Sequence, residues 1–243
     1  MVKVSAIVAA YNHGRFIYQA IQSLATQVDE VIALDDASSD NSWENITRTA
    51  SEFNNVIALR NSENLGISAT YNKGVANSTG DILLFQGGDD ISLPWRRVAQ
   101  ELTLSNREIS LSFSNAHIIS ELGLLLSSEE APELLDKVRP KDIFQRLLKE
   151  GNFICGATVA MRREDFLISN GFSPSLQHLQ DYFMWLKLAR IGNFYQEEVP
   201  VAMYRKHTGN ISAAVTQIDS RTKALETELA AIRSFFERKP SSF

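Results

Sequence analysis

The stretch Ile82-Leu83-Leu84-Phe85-Gln86-Gly87-Gly88-Asp89-Asp90 decides how the chain folds. Four apolar residues without a break, then Gly-Gly and two carboxylates, describe a buried strand that opens into polar chemistry at its C-terminal end. Unbroken apolar strands of this kind belong to parallel sheets covered by helices on both faces. In open α/β sheets, ligands bind outside the carboxyl ends of the strands. A carboxylate pair placed there suits a hard divalent cation, with phosphate oxygens completing its shell. Gly-Gly-Asp-Asp is also the composition of an ordinary surface turn, so the flanking sequence has to decide.

Upstream, strand and helix signals alternate, as parallel sheets require. Val4 to Ala9 reads as a strand and Tyr11-Asn12-His13-Gly14 as the turn after it. Phe16, Ala20 and Leu24 keep helical spacing as far as Gln27. Val31 to Leu34 is a second strand that ends in Asp35-Asp36, and Asp40 is placed to cap a helix through Ile46 and Phe53. Val56 to Leu59 is a third strand, and Ser68 to Ala76 a helix leading into the fourth at Ile82.

Downstream, Pro94 suits the first turn of a helix that Ser92 could cap, and Ile109 to Ser114 a half-buried strand. Residues 120 to 140 read as an irregular surface excursion, followed by a helix marked by Ile143, Phe144, Leu147 and Leu148. Thr158 to Met161 is expected as a strand, Asp181 to Ile191 as a helix and Val199 to Tyr204 as a strand. Ile218, Leu225, Leu229, Ile232 and Phe236 form an apolar stripe on a C-terminal helix. That stripe either packs back on the domain or a second subunit, or lies on a membrane surface.

Composition excludes several classes. The chain has 243 residues, 44% hydrophobic and 22% charged, ordinary values for a globular protein. A net charge of −5 gives no basic footprint for nucleic acid. One cysteine, Cys155, excludes an internal disulfide framework and suits a reducing compartment. In its setting, Cys155 reads as a small buried side chain rather than a nucleophile. The N-terminus is too short and strand-like for a signal peptide, and no apolar run approaches the roughly 20 residues of a spanning helix. The expectation is a cytoplasmic protein, at most peripheral at the inner face of the membrane.

Three strand ends carry chemistry: Tyr11-Asn12, Asp35-Asp36 and Asp89-Asp90. In a parallel sheet they line one edge. A tyrosine ring offers a stacking face for a base, Asp36 an acceptor for a base imide or ribose hydroxyl, and Asp89 a ligand for the metal of a diphosphate. Neither Gly-x-Gly-x-x-Gly nor a Walker-type Gly-Lys-Ser/Thr is present, so metal is the expected means of holding phosphate. His13 and His117 read as structural, and Trp185 as core.

These residues carry a resemblance. Val4 to Asn12 followed by Ala20 to Gln27 resembles the opening of family-2 glycosyltransferases. Asp35-Asp36-Ala37-Ser38-Ser39-Asp40 is similar to that family's Asp-Asp-x-Ser-x-Asp segment. Asn64-Leu65-Gly66, Asn72-Lys73-Gly74 and Ala76 to Asp81 fit the next block, and Asp89-Asp90 with Pro94 the DXD region. Asn170-Gly171-Phe172, Gln180-Asp181 running into Trp185 to Ala189, and Tyr204-Arg205-Lys206-His207 follow in the same order, over roughly residues 2 to 212.

The resemblance implies a single-domain GT-A fold, Rossmann-like, with a mostly parallel central sheet and helices on both faces. Residues 1–100 would form the nucleotide-sugar-binding half, 101–212 the acceptor-binding and catalytic half, and 213–243 the amphipathic helix. It implies Asp181 as general base for an inverting transfer. Ala9, Tyr11, Asp36, Asn64, Gly88, Asp89 and Arg205 would contact the donor. Asp89, Asp90 and His207 would hold Mg²⁺ or Mn²⁺, with Asp89 the main ligand. The partners would be a nucleotide-sugar donor, UDP-linked for preference, and a glycan or lipid-linked acceptor. The chain departs from the family pattern in having Gly87 where an acid is usual, Gln180 before the base, and Ala9-Ala10 before Tyr11. A sugar-phosphate nucleotidyltransferase, or a non-catalytic nucleotide-sugar-binding module on the same fold, are the alternatives.

Overall fold

The computed structural model describes residues 2–127, 140–210 and 218–238. Its centre is a seven-stranded sheet. Strands β1 (Val4–Ala10), β2 (Glu30–Asp35), β3 (Val56–Arg60) and β4 (Ile82–Gly87) run parallel, in the spatial order β4-β1-β2-β3. Every residue of β1 and β2 is buried, as their unbroken apolar sequences require. Successive side chains alternate between two cores. Ala6 and Val8 meet Ile17, Ala20, Ile21 and Leu24 of helix α1 (Ile17–Ala25). Ile7, with Leu83 and Phe85, faces Trp185 and the aromatic cluster of Phe166 and Phe172. Helices α2 (Ser42–Glu52) and α3 (Ile67–Ala76) complete the three βα units that lead into β4.

Beyond β4 the pattern changes. After the short strand β5 (Ile91–Ser92) and helix α4 (Arg96–Leu104), strands β6 (Ile109–Phe113), β9 (Ala160–Arg162) and β10 (Asn193–Gln196) extend the main sheet in the order β10-β6-β9-β4. β9 is antiparallel to both neighbours, so the sheet is mixed rather than wholly parallel. A second, four-stranded sheet has the order β5-β11-β7-β8, from β7 (Ala116–Ser120), β8 (Leu125–Ser127) and β11 (Ala202–Lys206). It brings the C-terminal end of β11 beside the exit of β4. The helices of this half are α5 (Pro140–Glu150), α6 (Arg163–Ile168), α7 (Gln180–Leu188) and α8 (Ile218–Arg238).

The sequence reading finds the first four strands and their helices to within a residue or two. It misses β7, β10 and α6, which are short. The expected excursion over 120–140 contains β8, and its residues 128–139 lie outside the described residues. Ser92 does not cap α4: its hydroxyl donates to Gln86, and the N-cap is Trp95. Trp185 is core, 1% exposed. On α8, Ile232 and Phe236 are buried, Phe236 against Phe144 and Phe183. Leu229, Ile232 and Phe236 of the C-terminal stripe therefore pack back on the domain, while the Ile218 side chain lies outside the described residues. Among the described residues, no helix is long and apolar enough to cross a membrane.

Candidate active site

The loops after β1 and β2 are bound to each other before they can bind anything else. The Asn12 N–H donates to Ser38 Oγ (2.8 Å), and Asn12 Oδ1 accepts from the Ser39 N–H (3.0 Å). His13 N–H donates to Ser42 Oγ (2.9 Å), and Gly14 N–H to Asp40 Oδ2 (2.9 Å). These contacts hold Asn12 and Ala37 at φ of 57° and 59°. For an L-residue, such a left-handed conformation costs about 1–2 kcal/mol, and strain of this kind gathers at functional edges.

Several expected donor contacts are engaged inside the protein. Asp36, 4% exposed, accepts from Asn61 Nδ2 (2.7 Å), the Leu65 N–H (2.9 Å) and the Gly66 N–H (2.9 Å). Three of the roughly four acceptor positions of a carboxylate are thus filled, and Asp36 folds the 61–66 loop over β2 rather than pointing at a ligand. Asn64 Oδ1 accepts from the Gly66 N–H in the same loop. Ala9 is 3% exposed and its carbonyl accepts the Gly88 N–H (2.9 Å). A Cβ on Gly88 would sit 2.9 Å from Ala10 Cβ, His13 Nδ1 and Ile17 Cδ1, so only glycine fits there. Tyr11, 48% exposed at the end of β1, keeps its ring available.

At the exit of β4, Asp89 is the centre of a cluster. Its Oδ2 faces His207 Nε2 at 3.0 Å and accepts from Asn210 Nδ2 at 3.1 Å. Its Oδ1 is 3.8 Å from His13 Nδ1, a buried atom with no hydrogen-bond partner. One ligand atom from each of His13, Asp89 and His207 falls within 4.8 Å of the others. The Gly209 N–H donates to His207 Nδ1, which leaves Nε2 as the atom turned to Asp89. Burial pushes the His13 pKa down, against the pull of Asp89, and a neutral imidazole is the form that binds metal. The orphaned nitrogen and the donor set both fit a divalent cation. Two imidazoles with one carboxylate suit Mn²⁺ or a later transition metal better than Mg²⁺.

Two expectations are corrected here. His13, read as structural, joins the cluster; its place one residue past Asn12, on the edge where the strand ends converge, was the available signal. Asp90, read as a metal ligand, does not gather with it. Asp90 is 4% exposed, and its Oδ1 accepts the Arg205 N–H at 3.0 Å. Burial, then the neighbouring Asp89 charge, raises its pKa well above the usual carboxylate range. Gly87 also changes meaning. A Cβ there would sit 2.6 Å from Asp89 Oδ1 and 3.1 Å from Asp90 Oδ2, so the glycine leaves the space that both carboxylates use.

Arg205, expected to contact the donor, is the clamp of this corner. Only 3% exposed, it donates from Nε to the Asp89 carbonyl (2.8 Å) and from Nη1 to the carbonyls of Ser120 (3.3 Å) and Glu121 (3.0 Å). Nη2 donates to Gln19 Oε1 (3.0 Å), and the guanidinium lies 4.9 Å from the Phe16 ring centre. A guanidinium so occupied cannot also fork onto a phosphate.

Asp181 sits in the first turn of α7. Its Oδ2 accepts from Asn152 Nδ2 (3.0 Å) and its Oδ1 from the Tyr182 N–H (2.6 Å). Burial raises its pKa despite those hydrogen bonds, which moves a carboxyl toward the range of a working base. Tyr71 and Cys155 are buried groups that feel the charges of both acidic centres. Burial, then Asp90, Asp89 and Asp181, raises the Tyr71 hydroxyl. Burial, then Asp90, pushes the Cys155 thiol up to about 12, with Asp181 adding to it, so it stays protonated. A groove of about 810 Å³ lined by Val2, Asp81, Leu104, Arg107 and Leu167 lies at the opposite, N-terminal edge of the sheet, away from these acids.

A buried parallel sheet with carboxylates on its C-terminal edge and a second sheet closing over it defines a nucleotide-sugar transferase fold. The chain is similar to solved structures of that fold. Staphylococcus aureus TarS in complex with UDP-GlcNAc superposes with a TM-score of 0.69 at 17% identity, over 87% of this chain and 61% of that one. A mannosyltransferase of Pyrobaculum calidifontis in complex with GDP-Man and Mn²⁺ gives 0.64 at 17% identity, over 84% and 56%. This chain thus spans about three fifths of those structures. The family model "Glycosyl transferase family 2" matches residues 5–167, and the chain belongs to that family. An uncharacterized glycosyltransferase of Methanocaldococcus jannaschii is 29% identical over 202 residues, covering 81% of this chain and 67% of the relative. The Escherichia coli UDP-Glc:alpha-D-GlcNAc-diphosphoundecaprenol beta-1,3-glucosyltransferase WfaP is 25% identical over 214 residues, 86% and 80%. The protein is accordingly a glycosyltransferase by family, which disfavours the nucleotidyltransferase alternative.

Proposed function

We propose that this chain transfers a sugar, with inversion, from a nucleoside diphosphate donor to an acceptor hydroxyl, assisted by a divalent metal. The observation that carries the reading is the His13–Asp89–His207 cluster at the exit of β4, accompanied by Asp181, a carboxylate whose pKa burial has raised. Tyr11 offers a stacking face for the base. His13, Asp89 and His207 would hold the metal, and Asn210 and Arg205 keep Asp89 aimed. When bound, such a cation neutralises charge growing on the departing diphosphate.

The residues of the chain account for the rest. An alcohol does not ionise at neutral pH, so Asp181 accepts its proton as the oxygen bonds to the anomeric carbon. The bond from that carbon to the diphosphate oxygen breaks on the opposite face, which inverts the centre. General-base help of this kind is worth about 10²- to 10⁴-fold. The two imidazoles favour a transition metal over Mg²⁺, and the Mn²⁺ in the Pyrobaculum mannosyltransferase complex supports Mn²⁺ in particular. UDP is the preferred nucleotide, and a glycan or lipid-linked hydroxyl the acceptor. The two UDP-sugar proteins among the relatives support the first choice, and the diphosphoundecaprenol acceptor in WfaP's name the second.

Calorimetric titration of UDP and GDP with and without Mn²⁺ tests the reading, on wild type and on Asp89→Ala, His207→Ala and His13→Ala. Tight nucleotide binding that requires Mn²⁺ and falls in all three variants is expected. Metal-independent binding, or a His13→Ala protein indistinguishable from wild type, overturns the donor set. Binding without any sugar transfer or donor hydrolysis would make the chain a non-catalytic module.

A further inference from the structure

Helix α7, which carries Asp181, has an apolar N-cap. Leu179 holds that position and has no side chain that could accept a hydrogen bond. The Leu179 N–H at that position needs a partner, and it and the two N–H groups just before the helix find one 49 to 51 residues downstream. Glu228 of α8 places its carboxylate over three consecutive N–H groups. Oε1 accepts from Gln177 (2.8 Å) and His178 (3.3 Å), and Oε2 from His178 (3.1 Å) and Leu179 (2.9 Å). The side chain is 9% exposed.

Two features set this contact apart from ordinary helix packing. First, Glu228 occupies a core position. Residues 228, 232 and 236 fall on one face of α8, and Ile232 and Phe236 are buried apolar groups that already fasten the helix. An aliphatic side chain at 228 would extend that stripe, whereas a buried carboxylate is costly unless fully hydrogen-bonded. A charge that breaks the local pattern, yet is completely satisfied, marks a position kept for something other than packing. Second, the three amides it holds end two residues before Asp181. The N–H groups of 177–179 and the positive end of α7 are the compensation for the buried charge, so Glu228 fixes where α7 starts. Where α7 starts sets where the Asp181 carboxylate stands relative to Asn152 and Tyr71.

We propose that Glu228 is a positioning residue for Asp181, so that the C-terminal helix is part of the catalytic unit. The proposal rests on the assignment of Asp181 as base. It reaches past the family-model match, which ends at residue 167, before both α7 and α8 begin.

The test uses Glu228→Gln in the full chain, with Ile232→Ala as a control that loosens α8 while leaving the carboxylate in place. Glutamine keeps the size and one acceptor oxygen but turns an NH₂ group toward the same amides. Glu228→Gln should lower kcat by about 10- to 100-fold, the usual effect of displacing a reacting group by an ångström or so. The donor KM and the Mn²⁺-dependent affinity for UDP should stay within about twofold, because the donor edge is built by other elements. The acid limb of the kcat–pH profile should shift as well. Ile232→Ala should lower Tm at least as much and keep kcat. The proposal is overturned if Glu228→Gln retains wild-type kcat, loses donor affinity in step with kcat, or is matched in kcat loss by Ile232→Ala. Amide exchange at 177–179 gives a readout independent of turnover. Faster exchange in Glu228→Gln supports the tether and unchanged exchange refutes it. If wild type proves unable to transfer sugar while this exchange does rise, the assignment of Asp181 fails and the tether stands.

Discussion

Replacing Arg205 by methionine separates two roles that sequence alone cannot. An arginine that grips a diphosphate is dispensable to the empty protein, whereas an arginine that clamps the β4 exit is part of the fold. Methionine keeps an apolar stem against Phe16 and removes every donor. The carbonyls of Asp89, Ser120 and Glu121 and the amide oxygen of Gln19 then lose their partner. At about 1 kcal/mol for each net hydrogen bond, the loss is about 4 kcal/mol. For a chain of this length, each kcal/mol moves Tm by about 2–4 °C, which gives a fall of roughly 8–16 °C. The assay is thermal and urea unfolding of the ligand-free variant, followed by Mn²⁺ titration, which should also weaken because the Asp89 carbonyl is untied. Arg205→Lys should recover little, since one ammonium cannot reach four acceptors spread over a planar fork. A ligand-free Arg205→Met protein that melts within about 2 °C of wild type, yet no longer binds nucleotide, would refute the clamp and restore the phosphate contact.

Two further outcomes follow from the carboxylates. Burial raises the Asp181 pKa, so as pH falls the base is protonated early and kcat should drop at a pH above the usual carboxylate range; in Asp181→Asn that limb should vanish along with about 10²- to 10⁴-fold of the rate, while UDP binding persists. The same raised pKa means that this group's contribution to stability is complete below its unfolded pKa and is lost as pH rises through the folded one, a dependence that Asp181→Asn should erase; a variant with the wild-type profile in either assay would remove the assignment. Gly87→Ala places a methyl 2.6 Å from Asp89 Oδ1, so the carboxylate must swing and Mn²⁺ affinity should fall about 10-fold, within the range seen when groups around a metal ligand are disturbed; unchanged affinity would mean that the metal does not sit against that oxygen.

Where the sequence is readable, the reason is periodicity. β1, β2 and β4 are apolar runs that only a doubly covered parallel sheet can bury, and α1 shows its buried face as Ile17, Ala20, Ile21 and Leu24. The short elements of the second half had no such pattern. β7 and β10 hold five and four residues, too few for a period to emerge. Their neighbours are set by a sheet order, β10-β6-β9-β4, that no local sequence encodes. The strand-end argument points to Asp89 and the family resemblance to His207, and the two meet at the exit of β4. It stopped short of His13 because its place beside Asn12 is a weak signal until its partners from 76 and 194 residues downstream are known.

Three groups expected at the ligand are engaged inside the protein for one physical reason. Asp36, Arg205 and Asp90 are charged, close to the edge and set in motifs. Charge near an edge is only a capacity to bond, and a buried charged group must use that capacity on whatever is nearest. Asp36 uses it on Asn61 and the backbone of Leu65 and Gly66, Asp90 on the backbone of Arg205, and Arg205 on three carbonyls and Gln19. The groups still open to outside chemistry differ in kind. His13 Nδ1 is buried without a partner, Tyr11 keeps a bare ring, and Asp181 is held by two donors while burial works against its charge. At the sheet edge, unsatisfied capacity is a better guide to the proposed working residues than charge, although it also occurs in the core, at Trp185 Nε1. By that criterion the acids of the Asp35–Asp40 segment are scaffold: Asp35 is fully buried against Arg60 at 2.9 Å, and Asp40 joins the first two loops. Under the proposed function the chemistry is left to a small set, His13, Asp89 and His207 in one cluster and Asp181 outside it.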